Sequence, residues 1–169
     1  RKCDRYSLFA IDAAKQAIED AAMDLDKEDK NRIGVIFASG IGGIKTFDEE
    51  VLSYAKIKDT IGPKFNPFFI PKMISDIAAG HISMLYGFHG PNFATVSACA
   101  SSTNAISDAF NYIRLGKANV IITGGAEAAV SESGVGGFNS MNALSTRNDS
   151  PETASRPFSA SRDGFVMGE

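Results

Sequence analysis

Three short strand-like runs, separated by segments of helical periodicity, constrain the fold of this chain more than any other feature. The first, residues 33–38, is apolar without alternation, which is typical of a strand buried on both faces. Residues 93–97 and 120–122 predict two further strands, the last also buried. Apolar residues at helical spacing predict helices over residues 5–24, 43–58, 74–85 and from about 101 to a stop at Gly116. This alternation predicts an α/β fold with a parallel or mixed sheet.

Three prolines interrupt the helical pattern in the middle of the chain. They are Pro63, Pro67 and Pro71. Each proline ring fixes φ and removes a backbone donor. We therefore expect residues 61–70 to form a loop or an extended segment.

Cys99 lies where the second strand-like run changes into a helix that starts near Ser101. The first N–H groups of a helix have no intrahelical partners, so a helix start is locally positive and favours a thiolate over a thiol. The small neighbours of Cys99 leave room for an acyl group. Cys99 is therefore a candidate nucleophile, and a nearby base or imidazolium would complete its activation. A buried structural thiol is the alternative.

The cysteines and the charges exclude several classes of protein. Cys3 and Cys99 are the two cysteines, and they form neither a disulfide framework nor a metal-ligand cluster; free thiols in a reducing cytoplasm fit better. The net charge is −3 with scattered Lys and Arg, which argues against a nucleic-acid surface. Residues 1–169 contain no pattern typical of a signal peptide or of a transmembrane run. The cations Arg1, Lys2 and Arg5 form either a docking patch for an acidic partner or the solvated face of a helix.

Two glycine-rich stretches and two histidines complete the candidate sites. Residues 39–45 and 134–139 both miss the dinucleotide fingerprint, and Lys45 stands where its third glycine would be. The first stretch predicts a tight strand-to-helix turn instead. His81 and His89 are not spaced as a ligand pair on one helix face. We interpret them as ordinary core or surface histidines.

Six motifs together resemble the β-ketoacyl-[acyl-carrier-protein] synthases, most closely those of the synthase II type. They cover residues 95–102, 124–127, 134–138, 143–148, 155–158 and 162–169. The resemblance implies a thiolase-like fold of two related α/β halves, a homodimer, and a cytoplasmic enzyme without metal or other cofactor. Residues 1–169 would be part of the first, N-terminal half. The chain opens without Met, and we expect it to be a piece of a longer protein, without that half's first strand and without the second half.

The resemblance also implies a reaction, the decarboxylative condensation of fatty acid elongation. Cys99 would accept a fatty acyl group from acyl carrier protein as a thioester, and its backbone N–H would be one oxyanion donor. Malonyl-acyl carrier protein would lose CO₂, and the resulting carbanion would attack the thioester to give a 3-oxoacyl chain. The family's two catalytic histidines, its lysine and its second oxyanion donor belong to the later half. His81 and His89 match none of them, so we expect residues 1–169 alone to be inactive.

Other positions match contact residues of the family. The acyl and substrate contacts would be made by Ile41, Ala98 and Phe138. The dimer segment that helps to enclose the partner's acyl chain would contain Phe69 and Ile70. The surface that faces acyl carrier protein would contain Arg1, Lys2 and Lys64. Plain core packing is the alternative for the apolar positions. Asn142 and Ser159 depart from the family pattern, because many members have a basic residue and an aspartate there.

Two other interpretations stay open. A chain that truly ended at residue 169 would be a non-catalytic module that dimerises or binds the carrier protein. The second interpretation is a different thiolase-fold acyltransferase, such as a polyketide or initiating synthase. The motifs at 134–138 and 145–148 match such enzymes less well.

Overall fold

The computed structural model describes residues 2–169, so the predicted docking residue Arg1 lies outside the described residues. The chain divides into two compact units. The first ends at Glu127, and the second is Ala128–Glu169. Each unit is described by itself below.

The first unit contains a three-stranded parallel sheet in its described residues. Its strands are Ile33–Ala38 (β1), Asn92–Phe93 (β2) and Val120–Gly125 (β3). The order is β2-β1-β3, and β1 pairs with β3 from Ile33 opposite Val120 to Ala38 opposite Gly125. The predicted first strand is confirmed with its bounds and with its burial, since all six residues of β1 are buried. The parallel α/β arrangement is confirmed as well.

The other two predicted strands differ from expectation. β2 has two residues rather than five, because the groups after it bond to the following helix instead of the sheet: the Thr95 hydroxyl donates to Ser101 O, and Ser97 N donates to Ser101 Oγ. β3 is longer than predicted, and the prediction that it is buried is wrong. It is half-exposed because it lies at the edge of the sheet that residues 2–169 form, next to β1.

Five α-helices accompany the sheet in the described residues of the first unit. They are Arg5–Asp20 (α1), Ile44–Ile61 (α2), Phe69–Met73 (α3), Ile77–Tyr86 (α4) and Ser101–Arg114 (α5). Short 3₁₀ turns occupy Lys30–Arg32 and Ala98–Ala100. The predicted stop at Gly116 is confirmed, and Gly116 has a positive φ, as does Gly87 at the end of α4. α1 ends earlier than predicted because Ala22 adopts a φ of 48°.

The proline-rich segment is the largest error in the predicted helices. Residues 62–68 are irregular as expected, but the predicted loop 61–70 is wrong at its ends: Ile61 ends α2, and Phe69 and Ile70 begin α3, which also contains Pro71. Pro71 is the third residue of that helix, and a proline is tolerated in a first turn because its missing N–H would have no intrahelical partner.

Two buried contacts organise the first unit. Ile36 and Ala38 of β1 pack against Ala105 and Ala109 of α5, with Phe93, Tyr112 and Ile121 around them. Asp4 caps α1 by accepting from Tyr6 N, and its other oxygen accepts from the backbone and the hydroxyl of Thr46 at the start of α2. Burial raises the pKa of Tyr6 to about 12, and its hydroxyl donates to Ile74 O.

The second unit contains one α-helix, Glu132–Ser140 (α6), in its described residues, and a 3₁₀ turn at Pro151–Thr153. The glycine-rich stretch 134–139 is therefore helical. Ser131 caps α6 by accepting from Gly134 N, and Gly134 is needed because a Cβ would lie 2.0 Å from Ala129 O. Near the end of the unit, Leu144 and Phe165 form an isolated parallel β-bridge. Among residues 2–169, no helix is both long and apolar enough to cross a membrane.

Candidate active site

The candidate site lies at the carboxyl ends of the parallel strands in the first unit. β1 and β3 end side by side at Ala38 and Gly125, so the loops that follow them meet at one edge of the sheet. Ligand sites of open α/β sheets form outside this edge. The turn that contains Cys99 reaches the same place, as the contacts of Gly40 described below show.

Cys99 occupies the 3₁₀ turn Ala98–Ala100, immediately before α5. The helix begins at Ser101, as predicted. Cys99 is exposed, which contradicts the alternative of a buried structural thiol. Ala98 before it has a φ of 51°, a left-handed conformation that costs a residue with a Cβ about 1 to 2 kcal/mol. The backbone therefore turns sharply at the residue that precedes the thiol.

The Ser101 hydroxyl holds this turn from the inside. Ser101 is buried; its Oγ accepts from Ser97 N at 2.8 Å and donates to Ala98 O at 2.6 Å. Asn104 Nδ2 donates to Ser97 Oγ at 2.6 Å. Sequence reasoning did not identify Ser101 as a positioning residue. The signal was a run of serine and threonine at a helix start, where hydroxyls commonly bond to the backbone.

Glu127 holds the loop after β1, residues 39–42. Its Oε1 accepts from the Ser39 hydroxyl at 3.0 Å, and its Oε2 accepts from the backbone N–H groups of Gly40 at 2.7 Å and Ile41 at 2.9 Å. Ser39 Oγ also accepts from Gly42 N at 2.9 Å. The predicted tight strand-to-helix turn is confirmed. Glu127 is the last residue of the motif at 124–127, but the sequence analysis assigned it no role. The feature that could have identified it is a carboxylate two residues after a strand.

Gly40 brings this loop against the turn of Cys99. A Cβ on Gly40 would lie 3.0 Å from Glu127 Oε2 and 3.5 Å from Ala98 O. Ile41, next to Gly40, is 43% exposed. The structure therefore places the loop that contains Ile41 next to the turn that contains Ala98 and Cys99, and Glu127 bonds to this loop.

The predicted dimer and docking residues lie around α3, in the first unit. The Phe69 ring stacks on Phe65 with centroids 5.3 Å apart, so Phe69 packs within its own unit, whereas Ile70 is 54% exposed. Lys64 is exposed in the irregular segment 62–68. Lys2 Nζ lies 5.6 Å from the ring centroid of Phe68, which ends the same segment.

Phe138 lies in the second unit, where its ring meets Phe165 edge-to-face at 5.1 Å. The same unit joins two of the motifs: the Ser145 hydroxyl donates to Asp163 at 2.8 Å. This hydrogen bond lowers the pKa of the Asp163 carboxyl. Asn142 adopts a φ of 53° and is exposed.

The two histidines do not join Cys99 in a described contact. His81, half-buried in α4, places Nε2 3.5 Å from the Cys3 thiol. His89 is exposed after α4, and its backbone N–H donates to Lys30 O. No group of three His, Cys, Asp or Glu in the described part of the chain is suited to hold a metal ion.

Comparison with known proteins matches the whole chain to one family. The model of the β-ketoacyl synthase N-terminal domain matches residues 1–169. The chain is 46% identical to 3-oxoacyl-[acyl-carrier-protein] synthase 2 of Staphylococcus aureus and 43% identical to the protein of the same name in Synechocystis. Each alignment covers all 169 residues of the chain, but 41% and 40% of the relative. The chain therefore spans about two fifths of the length of these relatives.

Solved structures agree with the sequence match. A β-ketoacyl synthase from Burkholderia phymatum superposes with a TM-score of 0.85 at 31% identity, over 100% of this chain and 41% of that one. A ketosynthase bound to a hexaketide, in complex with its type II PKS acyl-carrier protein, gives 0.76 at 27% identity, over 86% and 42%. The expected α/β, thiolase-like fold is confirmed.

Proposed function

The chain belongs to the β-ketoacyl synthase family, and from this premise we propose that Cys99 is the acyl-accepting nucleophile of a fatty acid condensing enzyme. The observation that carries the proposal is the exposed Cys99 thiol at the start of α5, in a turn fixed by Ser101. The relatives named 3-oxoacyl-[acyl-carrier-protein] synthase 2 support the same activity. The natural protein that carries this chain would be a cytoplasmic acyltransferase.

In the first half-reaction, the Cys99 thiolate attacks the carbonyl carbon of an acyl thioester on acyl carrier protein. The developing oxyanion needs donors, and the Cys99 backbone N–H is proposed as one of them. The tetrahedral intermediate collapses, the C–S bond to the carrier breaks, and the carrier thiol leaves with a proton. The acyl group is then bound to Cys99 as a thioester.

In the second half-reaction, malonyl-acyl carrier protein loses CO₂, and its enolate attacks the acyl carbonyl on Cys99. The product is 3-oxoacyl-acyl carrier protein, two carbons longer, and the Cys99 thiolate is regenerated. Enolate formation requires imidazole donors. We assign these to the part of the family's length that lies outside this chain, since neither His81 nor His89 belongs to a motif that matches them.

Removing the Cys99 thiol tests the proposal. In the natural protein, Cys99→Ala should lower the condensation of acyl- and malonyl-acyl carrier protein by about a thousandfold or more, because the acyl group loses its acceptor. The matched control is Cys3→Ala, which should retain activity. Condensation by Cys99→Ala at the wild-type rate would exclude Cys99 as the nucleophile.

We propose that Lys2 and Lys64, with Arg1, dock acyl carrier protein. Lys2 and Lys64 are both exposed, and Lys2 lies over Phe68, at the end of the segment that contains Lys64. The ketosynthase neighbour in complex with its acyl-carrier protein supports such a partner. A cationic patch of this kind would steer encounter with an acidic carrier more than it would add affinity.

Reversing the charge of Lys64 tests the docking surface. Lys64→Glu should raise KM for carrier-bound acyl groups by about fivefold at low salt, while small acyl thioesters react as before. Lys117→Glu, an exposed cation beyond α5, is the control. Equal carrier-protein kinetics in Lys64→Glu and Lys117→Glu would remove Lys64 from the docking surface.

The homodimer contact is proposed at Ile70, with Phe69 behind it. Ile70 is 54% exposed, whereas the Phe69 ring stacks on Phe65 and meets Phe47 at a tilt, with centroid distances of 5.3 and 6.2 Å. Phe69 would therefore shape the contact from within its own subunit, and Ile70 would touch the partner. Phe138 is proposed to line the acyl pocket in the complete enzyme.

A further inference from the structure

We infer that Glu127 is a positioning residue that sets acyl-chain selectivity by holding Ile41 beside the turn of Cys99. The inference rests on the proposed function, because it assumes that Ile41 contacts the acyl chain. It goes further in assigning a role to a side chain outside the predicted substrate contacts.

One carboxylate fixes three consecutive residues of the loop after β1. Glu127 accepts from the Ser39 hydroxyl, from Gly40 N and from Ile41 N at 3.0, 2.7 and 2.9 Å. Glu127 is half-buried, and Ser39 is 2% exposed, so water competes weakly for these bonds. Hydrogen bonds to an ionised acceptor are about twice as strong as neutral ones. The position of the Ile41 backbone therefore depends on Glu127.

The held loop also contacts the turn of Cys99. The position where a Cβ of Gly40 would lie is 3.0 Å from Glu127 Oε2 and 3.5 Å from Ala98 O. Gly40 thus allows the carboxylate, the loop and the turn to pack without an intervening side chain. A shift of this loop would change the distance between Ile41 and the acyl group on Cys99.

The acceptor pattern distinguishes Glu127 from a side chain that only fills space. Oε2 accepts two backbone N–H groups, and Oε1 accepts a hydroxyl that can rotate. A glutamine can place its oxygen at the Oε2 position and donate its amide N–H to Ser39 Oγ. Glutamine should therefore retain the conformation of the loop. Alanine removes every acceptor. Aspartate is one methylene too short to bond both to the Ser39 hydroxyl and to the backbone N–H groups of Gly40 and Ile41.

The experiment compares condensation by Glu127→Ala, Glu127→Gln and the wild-type natural protein on a short and a long saturated acyl-acyl carrier protein. The ratio of the two kcat/KM values should change by about fivefold or more in Glu127→Ala and by less than about twofold in Glu127→Gln. Asp29→Ala is the control, because Asp29 also accepts a backbone N–H, from Asn31 before β1. Its ratio should equal that of the wild type. A general loss of stability would lower both rates together and leave the ratio unchanged.

Each outcome decides between the claims. If the wild-type protein condenses and a folded Glu127→Ala keeps the wild-type ratio, the inference is overturned while the proposed function stands. If the wild-type protein does not condense, the proposed function fails. Should Glu127→Ala not fold, Glu127→Asp supplies the same comparison: a changed ratio supports the inference, and an unchanged ratio overturns it.

Discussion

The loop after β1 and the turn of Cys99 perform the same task by different means. Both lead the chain from a strand region into a helix at the carboxyl edge of the sheet. The loop of Ser39, Gly40 and Ile41 is held by Glu127, which is 86 to 88 residues away in sequence. The turn of Cys99 is held by Ser97 and Ser101, which lie within a few residues of the thiol. The turn of the proposed nucleophile is therefore held by local hydrogen bonds, and the loop beside it by a long-range one.

The two segments also differ in the type of residue that adopts a positive φ. Gly42 has a φ of 78°, and a Cβ there would lie 2.4 Å from Met73 O, so the loop after β1 requires glycine. The turn of Cys99 uses Ala98 at a φ of 51°. Because the left-handed conformation is costly for alanine, the turn depends on its hydrogen bonds to persist. The strain therefore lies in the segment that contains the proposed nucleophile, Cys99.

Ser101→Ala should give the largest effect on this comparison. It removes a buried hydroxyl that bonds to both Ser97 N and Ala98 O, and it should lower the free energy of unfolding of the natural protein by about 2 kcal/mol. Acylation of Cys99 should slow as well, because the left-handed turn loses its support. Urea unfolding and single-turnover acylation measure the two effects.

Asn104→Ala is the matched variant for Ser101→Ala. It removes one exposed hydrogen bond to Ser97 Oγ, and it should cost less than about 1 kcal/mol. Equal losses for the two variants would show that Ser101 is not the residue that holds the turn.

Ala98→Gly should have the smallest effect. Glycine relieves the cost of a positive φ but adds freedom to the unfolded chain, and the two contributions nearly cancel, leaving a change within about 1 kcal/mol. Ala98→Val, with a β-branched side chain at the same φ, should destabilise by about 1 kcal/mol, more than Ala98→Gly but less than Ser101→Ala. Thermal unfolding of both variants decides this point. A strongly destabilised Ala98→Gly would mean that the Ala98 methyl group, rather than the backbone, is what the turn requires.

Local patterns were sufficient for much of the fold. The strand β1 and the helix start at Ser101 were predicted correctly because both depend on the types of residues that are adjacent in sequence. The length of β2 was wrong because Thr95 and Ser97 bond to Ser101 instead of continuing the sheet. Phe69 and Ile70 were wrongly predicted as loop because a helix tolerates Pro71 only near its start, and the sequence does not show where this helix begins.

The candidate site, like the fold, was predictable only in part. Cys99 stands out because one junction combines a thiol, small residues and a helix start. Glu127 does not, because its role depends on β1 and β3 being paired in register, so that a carboxylate after one strand meets the loop after the other. Strand register is a long-range property of the fold. The residues near Glu127 in sequence therefore do not indicate that it bonds to the loop after β1.

The most direct test of the central claim is to find where the acyl group binds. The wild-type natural protein is incubated with acyl-acyl carrier protein in the absence of a malonyl donor, quenched in acid, digested and mapped by mass spectrometry. The account predicts one acyl group per chain, on the peptide that contains Cys99, with the Cys3 peptide unmodified. An acyl group on Cys3 or on another residue, or condensation that proceeds on adding malonyl-acyl carrier protein without any acyl group on Cys99, would contradict it.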